Sequence, residues 1–156
     1  INRDDPQRKL VPVDSDAPAC PQMAILRIEG SIFFGAVEHV QQYFRNVDET
    51  DLNKKHLMLA ARAIGFIDLA GAELFAKEAV RRRKMGGGLY IVGVQPDLCA
   101  MLKRSGQVDI VGEDHIFRHK GEAFKSIYSQ LDSNICESCT ARVFHECQPN
   151  GRPRST

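Results

Sequence analysis

The sequence predicts an α/β fold: short apolar runs that read as strands alternate with stretches of amphipathic helical spacing, and glycine or proline marks the joints. Strict alternation of this kind sets helices against a largely parallel sheet, because parallel neighbours need crossover connections. At 156 residues, 43% of them hydrophobic, the chain suits one domain with a real core.

Residues 1–22 carry Pro6, Pro12, Pro18 and Pro21 among charged residues, which reads as a linker with an edge strand near Leu10–Val13. The run Met23–Gly30 is short, apolar and closed by glycine, as a central strand is. After it, Val37, Val40, Phe44 and Val47 recur at helical spacing with Glu38, Gln41 and Arg45 between them. His56–Ala61 is the second expected strand, and a helix follows whose apolar stripe is Ala72, Phe75, Ala76, Ala79 and Val80. Lys77, Arg81, Arg82 and Lys84 take its other side.

Gly86, Gly87 and Gly88 end that helix and precede the third strand, Leu89–Val94. Pro96 opens a short helix with Leu98, Met101 and Leu102 on its apolar face, stopping at Ser105-Gly106. The last strand is either Val108–Val111 or Ile116–Phe117. Phe124, Ile127, Tyr128 and Leu131 mark a closing helix from Gly121 to about Leu131, the fourth of the expected helices. The organisation is thus a linker over 1–22, a domain over 23–132 and a cysteine-bearing tail over 133–156.

Lys and Arg total 21 against 20 Asp and Glu, so no global field draws nucleic acid or an anionic membrane. No stretch reaches the roughly 18 consecutive apolar residues of a membrane helix. The five cysteines are not spaced as a secreted disulfide framework, which favours a reducing cytoplasm. A first residue of Ile suggests either a fragment of a longer protein or a trimmed expression product. The sequence contains no Gly-x-Ser-x-Gly elbow, P-loop, dinucleotide fingerprint or His-Glu-x-x-His, so no catalysis is expected.

Two patches carry a family resemblance. The segment Ile25–Ala36, with Gly30-Ser31-Ile32-Phe33-Phe34-Gly35 at its centre, resembles the first strand, loop and helix start of STAS domains from sulfate-permease-type anion transporters. The loop Ile67-Asp68-Leu69-Ala70-Gly71-Ala72 is similar to that family's Asp-Ser-Ser/Thr-Gly loop. The resemblance runs from about Leu10 to Leu131 and implies a STAS-like mixed, largely parallel sheet. It favours the transporter branch over the anti-sigma-factor antagonists of the same fold. In those antagonists the serine directly before the loop glycine is phosphorylated. Here that position is Ala70, preceded by Leu69, and neither accepts a phosphoryl group.

Each candidate residue has a plain reading beside a functional one. Asp68 is an N-cap or a partner contact; Gly71 permits close backbone approach, and the N–H groups beside it also suit an anion, nucleotide binding being implied by some relatives. Arg81, Arg82, Arg83 and Lys84 form a basic run that complements a helix C-terminus as a solvated face, or that attracts lipid headgroups or an acidic partner such as acyl carrier protein. Phe33 and Phe34 either pack in the core or contact a membrane domain or partner subunit. Cys136, Cys139, His145 and Cys147 are a chemically complete zinc set, although His145 and Cys147 stand close together for a second half-site, and a reduced, partly packed tail or a redox pair are the other readings.

Three functions stay open. The first is a non-catalytic regulatory domain at the cytoplasmic face of a sulfate-permease-like transporter, docked on its transmembrane part and dimeric through the full-length protein. The second is a free-standing antagonist-type protein without its acceptor serine. The third is a small zinc or thiol protein.

Overall fold

A computed structural model describes residues 20–32, 37–50, 54–140 and 147. The expected edge strand near 10–13, together with Phe33, Phe34 and His145, lies outside the described residues.

Side chains alternate across a strand, and strand β2 (His56–Ile67) is apolar on both sides of that alternation. Leu57, Leu59 and Ala61 join one core while Met58 joins another, so the sheet is covered on both faces. β1 (Met23–Ile32), β2, β3 (Gly88–Val92) and β4 (Ile116–Phe117) lie side by side in chain order, every pair parallel. Helices α1 (Val37–Thr50), α2 (Leu69–Lys84), α3 (Pro96–Arg104) and α4 (Gln107–Val111) occupy the crossovers. They pack through Val40, Phe44, Phe75, Leu102 and Val111 on the Leu57 face. α5 (Lys120–Gln130) covers the Met58 face with Ala123 and Ile127, and α6 (Ser133–Ser138) follows it.

Three boundaries differ from the sequence reading. Gly30 does not close β1: its φ of 96° sits beside a register shift, and pairing with β2 resumes at Ser31↔Phe66 and Ile32↔Ile67. For the same reason β2 runs on to Ile67 instead of ending at Ala61. Of the two possible last strands, Ile116–Phe117 forms, and Val108–Val111 belongs to α4. Gly106 at φ 75° and Gly112 at φ 97° bracket that turn of helix, and Val108 and Val111, three residues apart, face the core together.

α2 is the middle helix of its layer, with α1, α3 and α4 as neighbours. Its buried face is therefore wider than the expected stripe and includes Leu74, Glu78 and Arg82 at four-residue intervals, while Val80 is exposed.

A buried polar pair lies at the other end of the sheet. His56 Nδ1 and Tyr90 Oη share a hydrogen bond of 3.1 Å, and the Tyr90 ring stacks on His115 at 4.7 Å. Burial first, then the charges of Arg82, His115 and Lys55, holds the His56 imidazole below its ordinary value of 6.5. The folded state thus disfavours the His56 imidazolium, and the unfolded chain binds the proton first. The contribution of His56 to stability is constant above about pH 6.5 and falls as the pH drops below it. Denaturant midpoints measured on both sides of that value should show the loss, and His56→Gln should reduce it; an equal loss in that variant contradicts the assignment. Tyr90, pushed up to about 12 by burial and then by Asp114, has the opposite sign, its contribution lost between its ordinary 10 and that value.

Candidate functional site

The C-terminal ends of β1 and β2 extend past the rest of the sheet. β3 pairs with β2 only over His56–Ala60, whereas β1 stays paired as far as Ile67. Beyond Ala60, then, β2 has β1 on one side and, among the described residues, no strand on the other. α3 approaches this open edge, and Gln95 Nε2 donates to the Arg62 carbonyl at 3.1 Å. Between them lies a cleft of about 770 Å³ lined by Arg62, Ile64, Phe66, Asp97, Met101 and Arg104. Arg62, Arg104 and Asp97 contribute two guanidinium groups and one carboxylate to an otherwise largely apolar lining. Ligands of open α/β sheets bind at this end of the strands.

The turn from β2 into α2 completes the site. Asp68, at φ −98°, accepts a hydrogen bond from the Gly71 N–H at 2.9 Å, and its carbonyl accepts one from the Ala72 N–H at 3.0 Å. The carboxylate is thus an N-cap in fact. Phe66 and Leu69 stand on either side of it with 55% and 51% of their surface exposed. Large apolar side chains placed this way next to a cleft are contact material. Asp68→Ala is expected to lower stability by about 1 kcal/mol, and Asp68→Asn, which keeps the cap, by much less; thermal denaturation of the two variants checks this.

Residues 14–123 match the family model of the STAS domain. The chain belongs to the STAS domain family. Over 102 residues, 65% of its length, it is 24% identical to the Bacillus subtilis protein designated sulfate transporter YvdB, of which it spans 19%. A solved sulfate transporter family protein from Wolinella succinogenes is 25% identical, with a TM-score of 0.59 over 81% of this chain and 95% of that one. An anti-sigma factor antagonist from Mycobacterium paratuberculosis, 14% identical at a TM-score of 0.61, covers 77% of this chain and 93% of its own; it shares the fold. The family and fold read from the Gly30–Ala36 patch and the Asp68 loop are those found.

In this STAS domain the candidate residues separate into two groups. Asp68, Leu69, Ala70 and Gly71 are together at the start of α2, directly after Ile67, the last residue of β2 in the cleft lining. The basic run is at the far end of the same helix, and most of it makes intramolecular bonds. Arg82 is the correction: at 0% exposure it is not a solvated face but is turned inward, its guanidinium bonding Glu78 at 2.8 Å, Lys54 O at 2.8 Å and Phe44 O at 3.5 Å. Arg81 holds Glu78 at 2.7 Å, and Arg83 donates to the carbonyls of Ile110 and Val111, the second at 2.7 Å, closing the C-terminus of α4. Arg83 and Lys84 are the exposed members.

Sequence reasoning missed Phe66, Arg62 and Arg104. Phe66 had a signal, since an aromatic next to Gly65 departs from the alternation of a covered strand. The two arginines had none, because only the fold brings β2 and α3 to one cleft.

Proposed function

We propose that this STAS domain is the non-catalytic regulatory module of a sulfate-permease-type anion transporter, held at the cytoplasmic face of the membrane by contact with the transporter's own transmembrane part. The observation that carries the reading is the pair Phe66 and Leu69, exposed around the capped start of α2 next to the open edge of β2. Exposed apolar residues together with Arg62 and Arg104 have the composition of a protein-contact surface. The sulfate transporter relatives support the choice of partner. Ala70 supplies no hydroxyl where antagonists carry theirs, so regulation proceeds by contact and not by phosphorylation of that loop.

The reading frame upstream of Ile1 tests this. A block of membrane-spanning helices there is the expected result. A frame confined to this domain overturns the proposal in favour of a free-standing antagonist-type protein.

A further inference from the structure

Among the described residues, every register shift of the sheet falls in one wall of the cleft. While β1 goes from Arg27 to Glu29, β2 goes from Ala60 to Ala63, and while β1 goes from Gly30 to Ser31, β2 goes from Ile64 to Phe66. β2 therefore carries an extra residue at Ala61-Arg62 and another at Gly65, whereas its pairing with β3 is regular. Bulges bend a strand and re-aim its side chains, and they are over-represented next to active sites. Arg62, in the first bulge, is anchored through its backbone from two directions. Its carbonyl accepts from Gln95 Nε2 at 3.1 Å, and Gly93, at φ 76°, lies so close that a Cβ there would meet the Arg62 Cβ at 3.1 Å. Glycine at position 93 thus serves both its own backbone and the seating of Arg62. The guanidinium at the end of this anchored residue is exposed, and among the described residues no hydrogen bond or ion pair engages it. The same holds for Arg104, the last residue of α3, in the facing wall.

We propose that the cleft binds an organic monoanion with an apolar body, its carboxylate on Arg62 and its hydrocarbon part along Ile64, Phe66, Leu98 and Met101. At about 770 Å³ the cleft has the size of a small-molecule site. Its two guanidiniums and the Asp97 carboxylate leave one net positive charge in the lining. That matches a single negative charge and penalises a doubly charged head such as a phosphate monoester. A planar guanidinium takes a carboxylate in two parallel hydrogen bonds. The apolar remainder of the lining is stabilised by covering it with hydrocarbon, which a bare inorganic anion cannot supply. Binding of this kind is a property of the domain by itself, and it stands or falls separately from attachment to a transporter.

Titration of the isotope-labelled chain with octanoate, followed by amide NMR shifts, tests the proposal, with octanol and inorganic sulfate as the two comparison ligands. The expected result is saturable octanoate shifts centred on Arg62, Phe66 and Met101, with octanol and sulfate each binding about tenfold or more weakly, since each lacks one half of the recognised chemistry. Arg62→Gln, at an exposed position, should weaken octanoate by about tenfold and leave octanol unchanged. Lys84→Gln, at the far end of α2, should bind octanoate as the parent does. Absence of saturable shifts at the cleft overturns the proposal. So does octanol or sulfate binding as tightly as octanoate, and so does a folded Arg62→Gln variant with undiminished octanoate affinity.

Discussion

Arg82→Ala lowers the stability of this domain by about 3–5 kcal/mol, the cost of removing one partner from a buried ion pair. Glu78, nearly as buried, keeps only Arg81, which reaches it from a half-exposed position. The carbonyls of Lys54 and Phe44 lose a charged donor at the same time, and the space of a long side chain is left in the layer between α1 and α2. Arg82→Lys does not restore the network, because a single ammonium lacks the fork that serves Glu78 and two carbonyls in different directions. Lys84→Ala, two residues on and exposed, should stay within about 0.5 kcal/mol of the parent. Urea midpoints of the three variants decide it. Equal midpoints for Arg82→Ala and Lys84→Ala would mean that the run is a solvated face after all.

Gly87→Ala is the second large effect. A Cβ at this position falls 1.9 Å from the Lys55 carbonyl oxygen and 2.3 Å from its carbon. Both are backbone atoms, so no side-chain rotation relieves the contact, and Lys55 leads directly into β2. The Gly87 N–H also bonds Arg82 O at 2.9 Å, which ties the turn to the end of α2. The cost should exceed the roughly 1–3 kcal/mol usual for overpacking. Gly121→Ala, where a Cβ meets nothing within 4 Å inside α5, should instead be neutral or stabilising by about 0.5–1 kcal/mol. The sign difference between the two variants is read from the same denaturation curves.

The element order was legible because the β runs and helical stripes are written in local periodicity. Val108–Val111 was ambiguous for a physical reason: four residues rich in β-branched side chains suit a strand, and only the left-handed glycines at both ends, with Arg83 closing the turn, make a helix of them. Arg82 was placed on the wrong side because a charge was taken as a marker of solvent. Helical spacing puts it four residues after Glu78, and that pair allows burial in a helix flanked by others. The Asp68 cap could be read from one residue before an apolar stripe. The cleft could not, since Arg62 and Arg104 are 42 positions apart in sequence and share a surface only because α3 packs against the edge of β2.

Under the proposed function, this domain regulates an anion transporter by contact through Phe66 and Leu69. Anion uptake by the proposed full-length transporter, compared between the parent and a Phe66→Asp, Leu69→Asp variant, tests it most directly. Loss of two hot-spot contacts predicts a fall of about tenfold or more, while two exposed positions predict a change of no more than about 1 kcal/mol in the stability of the domain itself. Unchanged uptake in a folded variant would contradict the account.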